Sequence, residues 1–259
     1  MSFILNIGAK TRILPLSKTA IMSENIAIKA LIFDLNGTMI DDMAFHTIAW
    51  HDILNNDLKA NLTEEEVKKQ MYGKNEEVLA RIFGQGHFNE AEANRISIEK
   101  EKRYQRAFLP HLKLIEGLEP FLAFAHSKNI PMAIGSAAIP FNINFVLDNL
   151  HIRHYFSAIV SADDVKMSKP DPETFTKAAA LLHTSPANCI VFEDAPKGVE
   201  AAENAGMKSI VLTTMHTEDE FTGYNNILRF IKNYKDPLLK DINEMPYFSF
   251  GKGNISEGL

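Results

Sequence analysis

Residues 29–42 read KALIFDLNGTMIDD, an apolar run that ends on a carboxylate and is followed closely by a polar residue, a glycine and a threonine. Ala30, Leu31, Ile32 and Phe33 are a short continuous hydrophobic segment rich in strand formers. Such a run fits a strand buried on both faces of a parallel sheet better than a surface helix. Asp34 then sits where the strand runs out, and the carboxyl ends of strands are where open α/β sheets bind ligands. Gly37 lets the chain turn away tightly, leaving backbone groups near Asn36 free to face an ion or anion. On this stretch alone, an Asp34 that merely caps the next helix is an equally good reading.

Working outward, the pattern from Asp42 to about Phe108 changes to helix, with apolar residues at helical spacing in AFHTIAWHDIL, EEEVKKQMYG, EEVLARIFG and AEANRISIEKEKRYQRAF. Thr63 followed by Glu66 predicts a capping box, and Gly73, Gly84 and Gly86 punctuate helix ends. Four helices without a strand between them predict a bundle, and the Pro- and Gly-containing stretch 109–120 is the return linker. Beyond it helices alternate with the strands PMAIGS, FSAIVS, NCIVFED and KSIVLT, the pattern of βαβ units. The strand at 29–34 must join that sheet, since alone it has nothing to pair with. The expected fold is therefore α/β, a doubly wound parallel sheet with an inserted α-helical bundle. Its core comprises 28–41 and 115–236, and the bundle, 42–114, is placed above the carboxyl edge.

Residues 1–27 read as an N-terminal extension and 237–259 as a tail. The leader MSFILNIGAKTRILPLSKTAI lacks a long apolar centre followed by a small-residue cleavage site, and Met22 begins a stretch that reads as a natural start. The chain has 259 residues, a net charge of -6 and no Lys/Arg run, so neither nucleic acid nor a membrane surface is an expected partner. No apolar run approaches the roughly 18 residues needed to span a bilayer. The single cysteine, Cys189, excludes an internal disulfide and suits a reducing, cytoplasmic compartment; inside CIVFED it reads as a small core residue. A monomer is expected.

If chemistry collects at the carboxyl edge, each strand should deliver something polar there. PMAIGS ends on Ser136, the loop after FSAIVS carries Lys169 before Pro170 in extended backbone, and IVFED ends on Glu193 and Asp194. Each has a bland reading as a cap or a solvated loop residue. Their recurrence at successive strand ends is hard to assign to chance. Carboxylates with one lysine and one hydroxyl are what magnesium and a phosphoryl group require: hard oxygen ligands for the ion, a point charge for the remaining phosphate oxygens. A carboxylate can also act as the nucleophile and become an aspartyl phosphate.

The ordered set DxxGT, strand-terminal Ser, KP and ED, over about residues 28–215, resembles the haloacid dehalogenase superfamily of aspartyl-phosphate phosphotransferases. An insertion directly after the first motif is similar to that superfamily's helical cap, and DDMAFHTIAW resembles the beta-phosphoglucomutase and small phosphatase branch. The resemblance implies a Rossmann-like core and a Mg²⁺-dependent phosphatase acting on a small phosphorylated metabolite, with Asp34 as nucleophile and metal ligand. It also implies metal ligation by the Asn36 backbone carbonyl, Glu193 and Asp194, and phosphoryl binding by Ser136 and Lys169. Gly37, Thr38 and Ala137 beside them, with His46, Trp50 and Lys74 of the cap, form the implied substrate-binding set.

Position 36 departs from the family pattern, where Asp is the usual acid/base. An asparagine keeps the carbonyl but delivers no proton, and loss of general acid catalysis costs about 10²- to 10⁴-fold. That counts against efficient beta-phosphoglucomutase activity, the rival reading, and leaves room for a catalytically weak binding protein. Asp41 and Asp42 are possible substitutes, although a helix cap is the more natural role for Asp42. Lys74 stands where the mutase branch would place an arginine, and Ala137 and Ala138 make the loop after Ser136 poor in hydroxyls; Asn142 is a weak compensation.

Overall fold

Residues 28–240 are described in the computed structural model; the expected extension at 1–27 and all of the tail after the short helix Pro237–Lys240 lie outside them. Ala30–Phe33 forms β1, buried along its whole length. The period-two alternation of a strand divides it between two apolar layers, Leu31 and Phe33 in one and Ala30 and Ile32 in the other. This is why the run is apolar throughout rather than alternating.

After β1 the chain leaves the sheet for the bundle: α1 (Met43–Asp52, prolonged by a π-helical turn Ile53–Asp57), α2 (Glu64–Gln70), α3 (Asn75–Phe83) and α4 (Glu90–Phe108). The expected capping box is present, with Thr63 N–H donating to Glu66 Oε2 at 2.8 Å and Glu66 N–H to Thr63 Oγ1 at 3.3 Å. Trp50, Ile53, Leu54, Val67, Val78, Leu79 and Ile96 give the bundle a core of its own. Outgoing and returning chains run side by side: Ile40 bridges Leu114 antiparallel and Ile115 N–H donates to Met39 O at 2.9 Å. The insertion thus begins and ends at one point, immediately beyond β1.

The remainder is α5 (Leu118–Ser127), β2 (Met132–Gly135), α6 (Pro140–Asn149), β3 (Ala158–Val160), α7 (Glu173–Leu181), β4 (Cys189–Glu193), α8 (Pro196–Asn204), β5 (Lys208–Leu212) and β6 (Ile227–Ile231). Among the described residues six strands form one parallel sheet in the order β3-β2-β1-β4-β5-β6. Helices α5 and α6 pack on the Leu31/Phe33 layer, α7 and α8 on the Ala30/Ile32 layer. The chain builds outward from β1 through β2 and β3, then returns to lay β4 on the other side of β1. That reversal opens a crevice at the carboxyl ends of β1 and β4. Phe33 and Phe192, paired in register, stack at 4.7 Å just below it.

Strand β6 has no counterpart in the sequence reading. It is an edge strand, half-exposed, with Arg229 outward and a register shift against β5, so its ILRFI lacks the apolar continuity of the central strands. Cys189 is buried at the start of β4, its thiol pushed up to about 12 by burial, in keeping with a core role. Among the described residues no helix is long and apolar enough to cross a membrane.

Candidate active site

Asp34 follows β1 directly, its N–H donating to Phe192 O of β4 at 3.0 Å, so the backbone ladder aims its carboxyl into the crevice. Glu193 ends β4 beside it. Lys169, which opens a turn in the loop between β3 and α7, reaches both: its Nζ lies 2.6 Å from Asp34 Oδ1 and 2.7 Å from Glu193 Oε1, with the Phe175 ring 4.6 Å beneath the ammonium. Residues 24 and 135 positions apart in the chain thus meet on one nitrogen. Glu193 Oε2 accepts from the N–H groups of Asp194 and Ala195, both at 2.8 Å, which locks the carboxylate in place and turns Asp194 inward. Asp194 Oδ1 accepts from Thr38 Oγ1 at 3.2 Å. Its other side fills the space over Gly37, whose φ of +74° only glycine adopts cheaply and where a Cβ would stand 2.0 Å from Asp194 Oδ2. The turn is pinned by Thr214, which donates to Gly37 O at 2.6 Å.

Ser136 comes two residues after Ile134, the register partner of Phe33, so it lies at the same edge. Its Oγ accepts from Ala138 N–H at 3.1 Å, while α6 starts behind Ile139 with no side-chain cap. Ser136 is therefore not a helix cap, and its own O–H remains to donate. Ala137 is next to it in the same turn, half-buried.

The cap side differs more from expectation. Asp42 occupies the N-cap position of α1 but makes no capping bond. Its Oδ2 accepts instead from Asn36 Nδ2 at 2.6 Å and from the Tyr104 hydroxyl at 2.5 Å, while Oδ1 is buried without a partner among the described residues. His46 stacks on Tyr104 at 3.8 Å, with Nε2 3.1 Å from Asn36 Nδ2 and Nδ1 2.7 Å from Lys100 Nζ. Lys100 in turn is paired with both oxygens of Glu101, at 3.0 and 3.1 Å, and Glu101 accepts from Asn75 and from Asn142 of α6, each at 2.7 Å. Trp50 packs within the bundle core, 3% exposed, with Lys100 5.2 Å over its face. Lys74 Nζ donates to Val165 O at 2.7 Å. With Ser168 donating to Glu77 at 3.0 Å, that contact ties the bundle to the loop carrying Lys169. Asn142 serves the cap–core junction, accepting from Gln105 at 2.8 Å and donating to Glu101.

Three buried carboxylates share one ammonium here, and the electrostatics reflect it. Burial raises Asp34 to about 7, with the Glu193 charge adding to the effect and Lys169 opposing it. Burial and the charges of Glu193 and Asp34 push Asp194 well above the usual carboxylate range. Burial works to lower Lys169, but its two carboxylate partners raise it. Across the junction, Lys100 and its neighbours hold Glu101 down at about 2 although burial opposes them.

These shifts fix a sign. Asp34 binds its proton more tightly in the folded chain than at the ordinary value of 3.8, so the folded state holds more protons between about pH 4 and 7 and stability falls as pH rises through that window. Lys169 stays protonated across it, and Glu101 and Glu173, both near 2, are already ionised. The melting temperature in EDTA is expected to drop between about pH 5 and pH 8. A flat or rising profile would show that the carboxylate cluster is not short of positive charge.

As arranged, no three acidic, histidine or cysteine side chains among the described residues stand where they could hold one metal ion, and the Lys169 ammonium lies between Asp34 Oδ1 and Glu193 Oε1. The donor chemistry nevertheless fits a hard divalent cation. Asp34, Glu193 and Asp194 are oxygen donors carrying an excess of buried negative charge, which a cation would relieve.

Comparisons with known proteins agree with this geometry. The profile of the haloacid dehalogenase-like hydrolases matches residues 31–212. The chain is 30% identical over 196 residues to the fructose-1-phosphate phosphatase YqaB of Escherichia coli K12, covering 70% of this chain and 94% of that one. It is 32% identical over 198 residues to the beta-phosphoglucomutase of Bacillus subtilis (strain 168), covering 71% of this chain and 82% of that one. The crystal structure of the Clostridium difficile beta-phosphoglucomutase superposes with a TM-score of 0.72 at 28% identity, covering 85% and 97% of the two chains. With the fold, the strand-end residues and the profile in agreement, the chain belongs to the haloacid dehalogenase-like hydrolases.

Proposed function

We propose that the protein is a Mg²⁺-dependent phosphatase that hydrolyses a small phosphorylated metabolite through an aspartyl phosphate on Asp34. The observation that carries this reading is the meeting of Asp34 Oδ1 and Glu193 Oε1 on the Lys169 ammonium at the β1/β4 reversal point. Asp34 Oδ attacks phosphorus, the bond from phosphorus to the substrate oxygen breaks, and water then displaces the Asp34 carboxylate to release phosphate. Lys169 holds equatorial phosphate oxygens as a point charge, and Ser136 donates its hydroxyl hydrogen to another. Asp34, Glu193, Asp194 and the Asn36 carbonyl are the groups that would hold magnesium, which supplies charge neutralisation at the transferring phosphoryl group. The bundle, tied to the core through Lys74, Glu77 and Glu101, covers the crevice and excludes bulk water.

The likeness to beta-phosphoglucomutases favours a second reading, interconversion of a sugar 1-phosphate and 6-phosphate. A screen of phosphorylated metabolites, followed by phosphate release and by product analysis, separates the two. Phosphate release that requires Mg²⁺ and stops in EDTA is the expected result. Isomerised sugar phosphate without net release would replace it with the mutase, and tight ligand binding without turnover would make the protein a binding module.

A further inference from the structure

We infer that Glu77 of α3 is a positioning residue for phosphoryl transfer: acting through Ser168, it makes the seating of the bundle and the placing of Lys169 beside Asp34 a single event. The inference rests on the phosphatase reading and adds to it a residue that works from the cap without touching substrate.

Glu77 is the third residue of α3, where a glutamate ordinarily turns back on the start of its own helix. Its two oxygens are divided instead. Oε2 accepts from the Lys74 N–H at 3.0 Å, inside the bundle, and Oε1 accepts from the Ser168 hydroxyl at 3.0 Å, across the junction with the core. Gly73 makes room for the contact. Its φ is +74°, and a Cβ there would stand 2.0 Å from Glu77 Oε2 and 3.5 Å from the Ser168 Cβ. The neighbouring Lys74 Nζ donates to Val165 O at 2.7 Å, so one tight turn of the bundle grips the loop at two points.

Lys169 lies between ends anchored to different bodies. Beyond it, Pro170 O accepts from Asn204 of α8 at 3.0 Å and Asp171 Oδ1 accepts from the Glu173 N–H at 2.9 Å, both bonds within the core. Earlier in the loop, Glu173 Oε2 accepts from the N–H groups of Lys166 and Met167, at 2.7 and 3.1 Å. Asp171 N–H donates to Ser168 O at 3.0 Å and closes the turn that contains Lys169. The side chain immediately before Lys169, that of Ser168, is fastened to the bundle. The ammonium itself sits 2.6 Å from Asp34 and 2.7 Å from Glu193, at the tip of a flexible four-carbon stem. A small displacement of the turn is therefore carried to Nζ. When the bundle lifts to admit substrate, Ser168 loses Glu77 and the turn loses one of its anchors. When it seats, the turn is fixed before Asp34 meets phosphorus.

The full chain with Mg²⁺ is mixed in excess with p-nitrophenyl phosphate or, where that is not turned over, with the metabolite that releases phosphate in the screen. Under single-turnover conditions the rate constant at saturating protein reports phosphoryl transfer without product release, and the concentration dependence gives half-saturation. Ser168→Ala and Glu77→Ala are each expected to lower that rate constant by about 10- to 10²-fold, with half-saturation moved less than about threefold. The double variant should fall no further than the slower single one, because either change breaks the same link. Glu77→Gln should stay within about threefold of the unaltered chain, its carbonyl taking the Lys74 N–H while its amide donates to Ser168 Oγ. A Ser168→Ala rate within about twofold of the unaltered chain, losses that multiply in the double variant, or a change confined to half-saturation would overturn the inference and leave the phosphatase reading standing. Lower melting temperatures with unchanged rates would also overturn it, reducing the contact to a brace for the bundle. If the unaltered chain releases phosphate from no member of the screen, that reading fails and takes this inference with it. Should Glu77→Ala not melt cooperatively, Ser168→Ala, which leaves every residue of the bundle in place, decides alone.

Discussion

Asp34→Asn is expected to lower Mg²⁺-dependent phosphate release by at least about 10⁴-fold while leaving the melting temperature unchanged or raised. The two halves of this result have one cause. Asn has nearly the shape of Asp, so the backbone link to Phe192 O and the packing below it are kept. The amide is not a nucleophile, so no covalent intermediate forms. Asp34 is also one of three buried carboxylates sharing one ammonium, held near 7 by burial with Glu193 adding its repulsion. Removing its charge relieves that repulsion, and Lys169 retains Glu193 as its partner at 2.7 Å. The stabilisation should be largest above about pH 7, where the unaltered carboxyl is forced to ionise. Residual turnover within about tenfold of the unaltered chain would remove Asp34 from the nucleophile's role. A loss of activity accompanied by a large fall in melting temperature would instead make it a structural residue.

The strand-end half of the candidate site was readable in the sequence because a parallel sheet converts chain position into spatial position. A buried strand is recognisable from its apolar run, its carboxyl end is known, and so Asp34, Ser136, Glu193 and Asp194 could be placed at one edge before any coordinates. Lys169 needed only the loop after the next strand. The cap followed a different logic. Lys100, Glu101 and Tyr104 lie in EKEKRYQ, which by composition is a solvated helix face, yet all three are buried. Their burial depends on Asp42 and His46 at the start of α1, Asn75 of α3 and Asn142 of α6, partners from three separate segments that helical periodicity does not bring together. Asp42 followed the N-cap rule in position but not in bonding, because Tyr104 and Asn36 offered stronger donors than the first turn of α1. Lys74 and Trp50 likewise went to contacts that form only when the bundle meets the core or packs on itself. Site residues carried by strand ends are legible from local pattern, whereas those carried by a tertiary interface are not.

The same coupling of backbone to carboxylate makes Gly198→Ala a sharp test of how the Glu193 edge of the candidate site is held. In an ordinary helix, alanine for glycine gains roughly 1 kcal/mol. Gly198 lies buried in the first turn of α8, directly over the Glu193 carboxylate, and a Cβ there would stand 1.7 Å from Oε1 and 1.9 Å from Cδ. Glu193 cannot simply swing aside, because Oε2 is fastened by the N–H groups of Asp194 and Ala195. Either those two bonds break and Asp194 loses its orientation, or α8 lifts away from β4. In both cases Oε1 leaves Lys169, and the ammonium that also positions Asp34 is displaced. A misplacement of about 1 Å in a phosphoryl-transfer site costs on the order of 10²-fold, so kcat/KM is expected to fall at least that far, with a lower melting temperature despite the better helix former. The Mg²⁺ concentration needed for half-maximal activity should rise in parallel. A variant more stable than the unaltered chain, with undiminished kcat/KM, would show that Glu193 can be re-seated freely and that the close approach of α8 to the end of β4 does not hold the site in place.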